Sequence, residues 1–537
     1  MNKLDGILLV LLAALGITAA AIFWSGPYYQ FDDMIYVQSA LGMLSGHYLL
    51  QPAFAEALTI MGIALSLKLF GISQLAAALP ALASYVGIVL IAFLLGRRLY
   101  GYGFGLVSAS FVISAPFILP FTTRALPDLT SAFAASLSIY LFILAVGKEK
   151  PSRKMLFASG IAMGLAPGFK ATEGLLIMGI FVISVIAYCA YGNRKENKEK
   201  RSKLGFKKII NSGPAWVIAG ILIPTALIAL FFYLTTGVPF FNIVTDNNFL
   251  RGTAVSPGSS TLPNNLLALG VSLNPLYYFI VKGQPIITGT GELAPLGILP
   301  LLAIAGAIAA CLKRNKTIVF LSIIGLFCFF YLFFGSQSYS IYTFLAVRDR
   351  YFTIAILPLS IVGAYPLSLI YRHAKRLRAP AAGMAIVATI IALSVLLNLP
   401  MYKWLFFFNL SASNTNQAYL NAINEAASQA SLVTLYLGIP NSNFRIYDIL
   451  LLARGNPNIN ILPTMGEACD PGAPNPFLIE VYTNQSGYYG PESLSLVREE
   501  VENWESNCTL AEVWSNTSSW STPTGQVTLY SKLYSIS

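Results

Sequence analysis

Charged residues are scarce in this chain. Of its 537 residues only 11% are charged, whereas 56% are hydrophobic, and the mean hydropathy is +0.66. Soluble domains carry about 25% charged residues, so this composition excludes a soluble globular protein. Apolar runs recur along the first 400 positions. Each is long enough to cross roughly 30 Å of hydrocarbon as a helix. The sequence therefore predicts a polytopic membrane protein.

Histidine and cysteine are also rare. The only histidines are His47 and His373, which excludes a histidine-rich metal site. Three of the five cysteines lie in or beside apolar runs, where cysteine packs as a small apolar side chain. The other two, Cys469 and Cys508, lie near the C-terminus, and an oxidising exterior would allow a disulfide between them. The sequence leaves that pairing and two free thiols equally open.

Several motifs of well-known enzyme classes are missing. The chain has no Walker motif, no metalloprotease motif and no serine-centred elbow. Gly101-Tyr102-Gly103 and Gly289-Thr290-Gly291 lack the strand-turn-helix context of a nucleotide-binding fingerprint. The sequence therefore does not indicate nucleotide binding or either class of hydrolase.

The basic residues predict the topology. Lysine and arginine concentrate on the cytoplasmic side of membrane proteins. If the chain crosses the membrane eleven times, the clusters that hold 22 of its 34 basic residues all lie on the same side as the N-terminus. We therefore predict a multi-pass protein of the cell membrane, surrounded by lipid, with a cytoplasmic N-terminus. The basic clusters that set this topology also account for the pI of about 9.2, so the basic pI does not indicate a nucleic acid partner. The predicted spans are 7–25, 74–96, 103–121, 129–147, 155–168, 172–192, 213–236, 293–312, 317–335, 352–371 and 381–400.

The chain is predicted to have two domains. Residues 1–401 would form a mainly α transmembrane helix bundle, and residues 402–537 would lie outside the cell. The second part alternates short strand patterns, such as Val433 to Leu437, with helical ones, such as Pro491 to Trp504. This alternation predicts a small extracytoplasmic α/β domain.

The first outer loop, residues 26–73, carries two adjacent carboxylates, Asp32 and Asp33. Residues 33–45 and 54–70 are predicted as helices lying at the membrane interface. Two carboxylates are costly to hold beside lipid, so they indicate chemistry or a bound cation such as Mg²⁺ or Mn²⁺. The alternative is that they only cap the first interfacial helix.

Further charges lie in the other outer loops. Arg348 and Arg350 are the best candidates for a phosphate clamp, since arginine binds phosphate in a bidentate manner. Lys170 lies in an apolar stretch and suggests a partner anion. The alternatives are an interfacial pair of either arginine with Asp349, and a pair of Lys170 with Glu173.

Two more outer segments are candidates for substrate contact. Arg124 and Asp128 lie in a turn that enters the fourth span, where Asp128 could also be a simple N-terminal helix charge. Residues 237–292 are rich in Gly, Pro, Ser and Asn. They are predicted to form a structureless outer loop, which in other proteins is often a lid or a substrate-binding element.

Several segments occur together in a fixed order within residues 1–375. They are Asp32-Asp33, Leu67 to Ser73, Gly96 to Gly101, Arg124 to Asp128, Gly164 to Gly174 and Arg350-Tyr351. Together they resemble the GT-C glycosyltransferases. The likeness is greatest to the branch that contains the protein O-mannosyltransferases and the lipid A aminoarabinose transferase. The resemblance implies a GT-C helix bundle with interfacial helices in its first outer loop.

The resemblance also implies a reaction. Such hexosyltransferases take a sugar from a polyprenyl-phosphate carrier, either dolichyl- or undecaprenyl-phosphate. They transfer it with inversion to a hydroxyl of a protein, a lipid or a glycan at the outer face. We expect no required cofactor. The residues predicted to contact substrate are Gln51, Glu56, Asp128 and Glu173.

The sequence departs from the pattern of this branch at two positions. Gln51 stands where related proteins commonly have Lys or His before two prolines, so one cationic contact is in doubt. Asp33 replaces a glutamate, which shortens the side chain by one methylene. The Trp-Trp-Asp-x-Gly signature of oligosaccharyltransferases is absent, which argues against transfer of a whole glycan to asparagine.

We predict a role for each charged residue. Asp32 would act as general base on the acceptor hydroxyl, and Asp33 would hold the acceptor or orient Asp32. The departing phosphate would be stabilised by Arg348 or Arg350, with Lys170 and Arg124. The alternatives are a transporter of a lipid-linked sugar or an ion that uses the two aspartates as coupling carboxylates, and an inactive scaffold.

Overall fold

The fold is described from a computed structural model. The residues that it describes are 3–24, 31–46, 55–148, 150–196, 213–245, 262–274, 286–288, 291–293, 297–336, 349–430, 432–437, 458–463, 476–483, 510–522 and 525–536.

Helices form most of the described chain. Their bounds are α1 Lys3–Ile22, α2 Phe31–Leu44, α3 Ala57–Phe70, α4 Gln74–Tyr100, α5 Tyr102–Ile113, α6 Asp128–Val146, α7 Arg153–Phe169, α8 Ala171–Glu196, α9 Gly213–Thr236, α10 Leu262–Leu273, α11 Leu299–Leu312, α12 Lys316–Phe334, α13 Ile356–Arg376 and α14 Pro380–Gln429. Two 3₁₀ turns occupy Leu119–Phe121 and Asp349–Ala355. The predicted membrane helix bundle is confirmed.

Each predicted span coincides with a helix, but not every helix is long enough to cross a membrane. Within the described ranges, eight helices are sufficiently long and apolar. The other three predicted spans correspond to Tyr102–Ile113, with 12 residues, Arg153–Phe169, with 17, and Leu299–Leu312, with 14. The first of these ends just before two prolines, at 116 and 120, which do not continue a helix readily. The interfacial segments of the first outer loop are also helical, as α2 and α3.

Helices α7 and α9 pack closely through small residues. A Cβ atom added at Gly160 would lie 2.1 Å from the carbonyl oxygen of Val217, and one at Gly220 would lie 2.2 Å from that of Phe157. Glycine at both positions therefore lets the two backbones approach each other. Small residues serve this purpose at helix contacts in membranes, where burial of apolar surface gives no driving force.

The gap predicted between the spans 155–168 and 172–192 coincides with a break between two helices. Helix α7 ends at Phe169 and α8 begins at Ala171, so Lys170 lies between two helices. A Cβ atom added at Gly174 would lie 2.5 Å from the carbonyl group of Ala166, which shows how tightly α8 folds back against the end of α7. The break places a lysine at one end of the bundle.

The prediction of a structureless loop over 237–292 is wrong in part. The structure places helix α10 there, and strands β1 (Ile286–Thr288) and β2 (Gly291–Leu293) form an antiparallel hairpin. Helix α10 carries apolar residues such as Ala268 into the main core, and Asn265 donates a hydrogen bond of 3.0 Å to the carbonyl oxygen of Phe333. Tertiary contacts therefore order a segment whose composition is typical of a loop.

The C-terminal part contains a five-stranded mixed sheet in the order β4-β3-β5-β7-β6. The strands are β3 Val433–Leu437, β4 Ile459–Pro463, β5 Pro476–Thr483, β6 Leu510–Thr522 and β7 Gly525–Ile536. The C-terminal half of α14 covers the sheet, and residues such as Tyr419 and Ile423 pack against Leu435 and Ile479. The predicted α/β arrangement is confirmed.

The division into two domains at 401/402 stays a prediction. Helix α14 is 50 residues long and crosses that boundary without a break. Its first part lies among the apolar spans and its last part covers the sheet. The helix predicted over 491–504 and the two cysteines predicted to pair, Cys469 and Cys508, lie outside the described residues.

Candidate active site

Two aspartate–arginine pairs form the centre of the site. Asp32 and Asp33 lie in the first turn of α2. Asp32 Oδ2 accepts a hydrogen bond of 2.5 Å from Arg350 Nη1, and Asp33 Oδ2 accepts one of 2.8 Å from Arg124 Nε. Arg124 lies just before α6, and Arg350 lies in the 3₁₀ turn before α13. The fold thus brings three distant parts of the chain together.

A third cation lies beside these pairs. Lys170 Nζ is 3.9 Å from Oδ1 of Asp128, the first residue of α6. The ring of Tyr351 lies next to both neighbouring cations, with its centroid 5.9 Å from Lys170 Nζ and 5.4 Å from Arg350 Cζ. Burial lowers the pKa of Lys170, but the nearby carboxylates of Asp128 and Glu173 outweigh burial and raise it. Lys170 therefore carries its charge at neutral pH.

Glu56 extends the site through a tyrosine that the sequence reasoning missed. Tyr36 Oη donates a hydrogen bond of 2.8 Å to Glu56 Oε2, and both residues are buried. Burial, and then the charge of Glu56, raise the pKa of Tyr36 well above its ordinary value, so its hydroxyl stays a donor. A sequence signal existed, because Tyr36 lies one helical turn after Asp32 and Asp33 and shares their face.

The two aspartates differ in their surroundings. The side chain of Asp33 is fully buried, whereas that of Asp32 is 20% exposed. Burial raises the pKa of Asp33 to about 6, although the contact with Arg124 opposes the rise. Asp32 is therefore the carboxylate that a substrate can reach, and Asp33 is held behind it.

Asp33, Arg124 and Asp128 in this charged cluster each have a buried polar atom with no hydrogen-bond partner within the described part of the chain. The atoms are Asp33 Oδ1, Arg124 Nη2 and Asp128 Oδ2. A buried polar atom without a partner costs about 1–3 kcal/mol, so native proteins rarely leave one unsatisfied. Two acceptors and one donor in the same charged cluster indicate a site for a polar ligand.

The geometry bears on the alternative roles. Arg350 contacts Asp32 across the site, whereas a pair of either arginine with Asp349 stays a prediction. Lys170 lies within ion-pair distance of Asp128, not of Glu173. Asp32 and Asp33 do lie in a first helical turn, where acidic charge is favourable, but their side chains contact arginines. Simple capping therefore does not account for them.

Not every predicted site residue can be placed. Gln51 and Arg348 lie outside the described residues. No group of three or more metal-binding side chains occurs in the described ranges, and one oxygen of each aspartate already contacts an arginine. A cation at Asp32 and Asp33 would have to compete with two guanidinium groups, so these residues fit a divalent metal poorly. The bound metal stays a prediction.

Part of the sequence and the whole fold match known proteins. Residues 59–201 match a family model described as dolichyl-phosphate-mannose-protein mannosyltransferase. No curated protein sequence matches the chain. The fold matches the crystal structure of ArnT from Cupriavidus metallidurans bound to undecaprenyl phosphate, with a TM-score of 0.52 and 12% identity over 97% of both chains.

Further solved structures also match. The apo state of the same ArnT gives a TM-score of 0.54 at 12% identity over 98% of both chains. The oligosaccharyltransferase AglB from Archaeoglobus fulgidus gives a TM-score of 0.46 at 13% identity over 84% of this chain and 64% of that one. The ArnT matches show that this chain shares the fold of ArnT along nearly its whole length. The fold that the resemblance implies is thereby confirmed.

Proposed function

We propose that this chain, a multi-pass membrane protein with the GT-C glycosyltransferase fold, transfers a sugar from a polyprenyl-phosphate carrier to a hydroxyl acceptor. The carrier would be dolichyl- or undecaprenyl-phosphate, and the acceptor a protein, a lipid or a glycan at the outer face of the cell membrane. The observation that carries the proposal is the contact between Asp32, an accessible carboxylate, and Arg350, a nearly buried cation. The match of residues 59–201 to the mannosyltransferase model supports the same reaction class.

Asp32 would act as the general base. Its carboxylate would take the proton of the acceptor hydroxyl while the hydroxyl oxygen forms a bond to the anomeric carbon of the sugar. The bond from that carbon to the phosphate oxygen would break, and its electron pair would leave with the polyprenyl phosphate. Attack from the side opposite to the phosphate would invert the anomeric centre.

Arg350 would connect donor binding to this step. In the structure its guanidinium contacts Asp32 at 2.5 Å, and a carboxylate held in this way is a weak base. A phosphate is a better bidentate partner for arginine than one carboxylate oxygen. Arrival of the donor would draw Arg350 to the phosphate and release Asp32 for the acceptor. The base would then be active only when the donor is bound.

The remaining charges would position the two substrates. Arg124 is fixed by Asp33 through Nε, which leaves its buried Nη2 to donate to phosphate. Lys170 would add positive charge as negative charge builds on the departing phosphate. Asp128 and Asp33 each retain one buried acceptor oxygen that could bind a sugar or acceptor hydroxyl. The reaction as proposed needs no metal ion.

The competing transporter function is less well supported by the site. Coupling carboxylates of transporters usually lie within spans near the middle of the membrane. Here the charged residues lie at helix ends: Asp32 and Asp33 in the first turn of α2, Asp128 at the first residue of α6, and Lys170 between two helices. All of them gather at one end of the bundle, as a reaction at the membrane surface requires.

The first experiment compares wild type with Asp32→Asn. Purified protein would be incubated with radiolabelled polyprenyl-phosphate sugars and a membrane extract that supplies acceptors. We expect transfer by wild type and a loss of at least about 100-fold in Asp32→Asn, the range typical of a removed general base. Asp5→Asn is the matched control, because Asp5 is also an aspartate paired with an arginine, Arg97, but is buried in α1.

The outcomes separate the proposals. Transfer by wild type and Asp5→Asn, with none by Asp32→Asn, supports the assignment. Full transfer by folded Asp32→Asn removes Asp32 from the mechanism. If no variant transfers sugar although the extract contains a usable acceptor, and all bind the donor equally, the transferase proposal fails in favour of transport or scaffolding.

A further inference from the structure

A cavity lies in the C-terminal part of the chain, among residues that the proposed reaction does not use. It has a volume of about 440 Å³ and lies between the last turns of α14 and the edge strand β6. Its volume is within the range of about 300–1,000 Å³ that is usual for small-molecule sites. The described residues that line it are Asn421, Asn424, Glu425, Trp514, Ser515 and Asn516.

Two regular elements hold these side chains in place. On α14, residues 421, 424 and 425 have the i, i+3, i+4 spacing that places side chains on one helix face. On β6, Trp514 and Asn516 are two positions apart and therefore project from the same face of the strand. The pairing of β6 with β7 is irregular between Glu512 and Trp514, which locally changes the direction of the strand. The residues that line the cavity thus belong to a helix and a strand, not to loops.

The lining combines one aromatic ring with several polar groups of fixed orientation. Trp514 packs at its inner side against the core below α14. Asn421 Oδ1 accepts a hydrogen bond of 2.8 Å from Gln417 Nε2, and Asn516 Oδ1 accepts one of 2.9 Å from the Thr517 N–H. These hydrogen bonds orient both side-chain amides so that their NH₂ groups are available to donate to a ligand. Glu425 adds carboxylate oxygens as acceptors.

The chemistry of the lining selects among ligand classes. Donors, acceptors and an aromatic face in one cavity match a saccharide, whose hydroxyls donate and accept and whose C–H face packs on a ring. No lysine or arginine occurs among the described residues that line the cavity, so a phosphate or carboxylate would lack a charged partner. One apolar side chain is too little for a lipid chain.

We propose that this cavity binds a neutral saccharide. The proposal goes beyond the transfer reaction, because none of the residues involved belongs to the charged cluster at Asp32. It identifies a binding site with which the C-terminal part of the chain would hold a glycan. It can be tested whether or not the chain transfers sugar.

The test is saturation-transfer NMR on the full-length protein with four probes: the methyl α-glycosides of mannose, glucose and galactose, and N-acetylglucosamine. The detergent must carry no sugar headgroup. Production in a bacterial host without N-glycosylation keeps Asn516 unmodified, because Asn516-Thr517-Ser518 is a glycosylation acceptor pattern. Asn424→Ala and Trp514→Ala remove lining groups. Ser428→Ala is the matched control, since Ser428 is exposed on the same helix and does not line the cavity.

We expect saturable binding of at least one probe to wild type and to Ser428→Ala. Asn424→Ala and Trp514→Ala should raise the Kd of that probe by roughly tenfold or more, the effect of one lost hydrogen bond or ring contact. Asn424 is exposed, so its variant should fold even if Trp514→Ala does not. The proposal is overturned if no probe binds or if Asn424→Ala binds as wild type does. Tetramethylammonium is tested as a fifth probe in the same experiment, and the proposal is also overturned if this cation binds and no sugar does.

Discussion

At the scale of single residues, the site couples a reachable carboxylate to a buried one. Asp33 is fully buried with a pKa raised to about 6, and it holds Arg124. An ionised Asp33 is needed for that contact to act as an ion pair. Protonation of Asp33 at lower pH would loosen Arg124, which the proposal uses to bind phosphate. The site therefore contains an acidic group that titrates close to neutrality.

The first prediction is a loss of transfer activity in acid. Because the pKa of Asp33 is raised, its protonated form accumulates as the pH falls below about 6. We expect the rate of wild type to decline through that range. In Asp33→Asn the maximal transfer rate should be lower than in wild type, and the rate should not decline near pH 6. A pH–rate profile of both proteins tests this, and an unchanged acid limb in Asp33→Asn would assign the limb to another group.

The second prediction concerns the hydrogen bond between Tyr36 and Glu56. Tyr36→Phe removes a buried donor and leaves the Glu56 carboxylate without it, which should lower the free energy of unfolding by about 1–3 kcal/mol. Tyr85→Phe is the control, because the hydroxyl of Tyr85 is equally buried but has no hydrogen-bond partner in the described ranges. Thermal unfolding in detergent measures both. Equal melting temperatures would show that the contact contributes nothing.

Much of the site could be predicted from the sequence, but its pairing could not. The positive-inside rule predicts that Asp32, Arg124 and Lys170 lie at the outer face. The cost of charge beside lipid indicates that they serve a purpose there. Which carboxylate meets which cation depends on contacts between residues 91 and 318 positions apart. No local pattern encodes such a contact. Local spacing does place Tyr36 on the same helix face as the two aspartates, but tyrosine has many ordinary roles in a membrane protein, so the spacing alone does not indicate a site residue.

At the scale of elements, the helix contacts explain why glycine occurs where it does. Gly160 and Gly220 face each other across the contact between α7 and α9, with no room for a Cβ atom on either. The contact also fixes the end of α7, which leads into Lys170. Stability of this helix pair and placement of a site residue are therefore linked.

The third prediction tests this link with two alanine substitutions. Gly160→Ala places a methyl group 2.1 Å from a backbone oxygen, so the helices must separate, at a cost of about 1–3 kcal/mol. Gly179→Ala is the control on α8, where an added Cβ meets nothing within 4 Å, and it should be neutral or slightly stabilising. Melting temperatures of the two variants test the difference. A Gly160→Ala protein as stable as Gly179→Ala would mean that the two helices move apart freely.

Element types were predicted more reliably than their extents. Apolar runs predicted every long helix because the bilayer imposes both length and composition. Helix α10 was not predicted, because it is ordered by packing against α12 rather than by its own composition. Strand β6 was also missed, since its sequence is mainly polar and its order comes from pairing with β7 along nearly its whole length. Tertiary contacts decide the structure of such segments.

At the scale of the whole molecule, the distribution of charge separates the two ends of the bundle. Helices α4, α6, α11 and α13 all end beside basic clusters, whereas the charged site lies at the beginnings of α6 and α13. The site and the basic clusters are therefore at opposite ends. The positive-inside rule predicts that the basic end is cytoplasmic, and therefore that the site and the C-terminal sheet lie outside.

The last prediction is the side of the membrane on which each end lies. In a variant without its native cysteines, single cysteines would be introduced as Lys316→Cys, in a basic cluster, and Ser519→Cys, on strand β6. A maleimide that does not cross membranes should label Ser519→Cys in intact cells, and Lys316→Cys only after the membrane is opened. The reverse pattern would place the site in the cytoplasm. Labelling of both positions in intact cells would contradict the predicted alternation of spans. It would then no longer follow that the basic clusters lie on one side of the membrane and the candidate active site on the other.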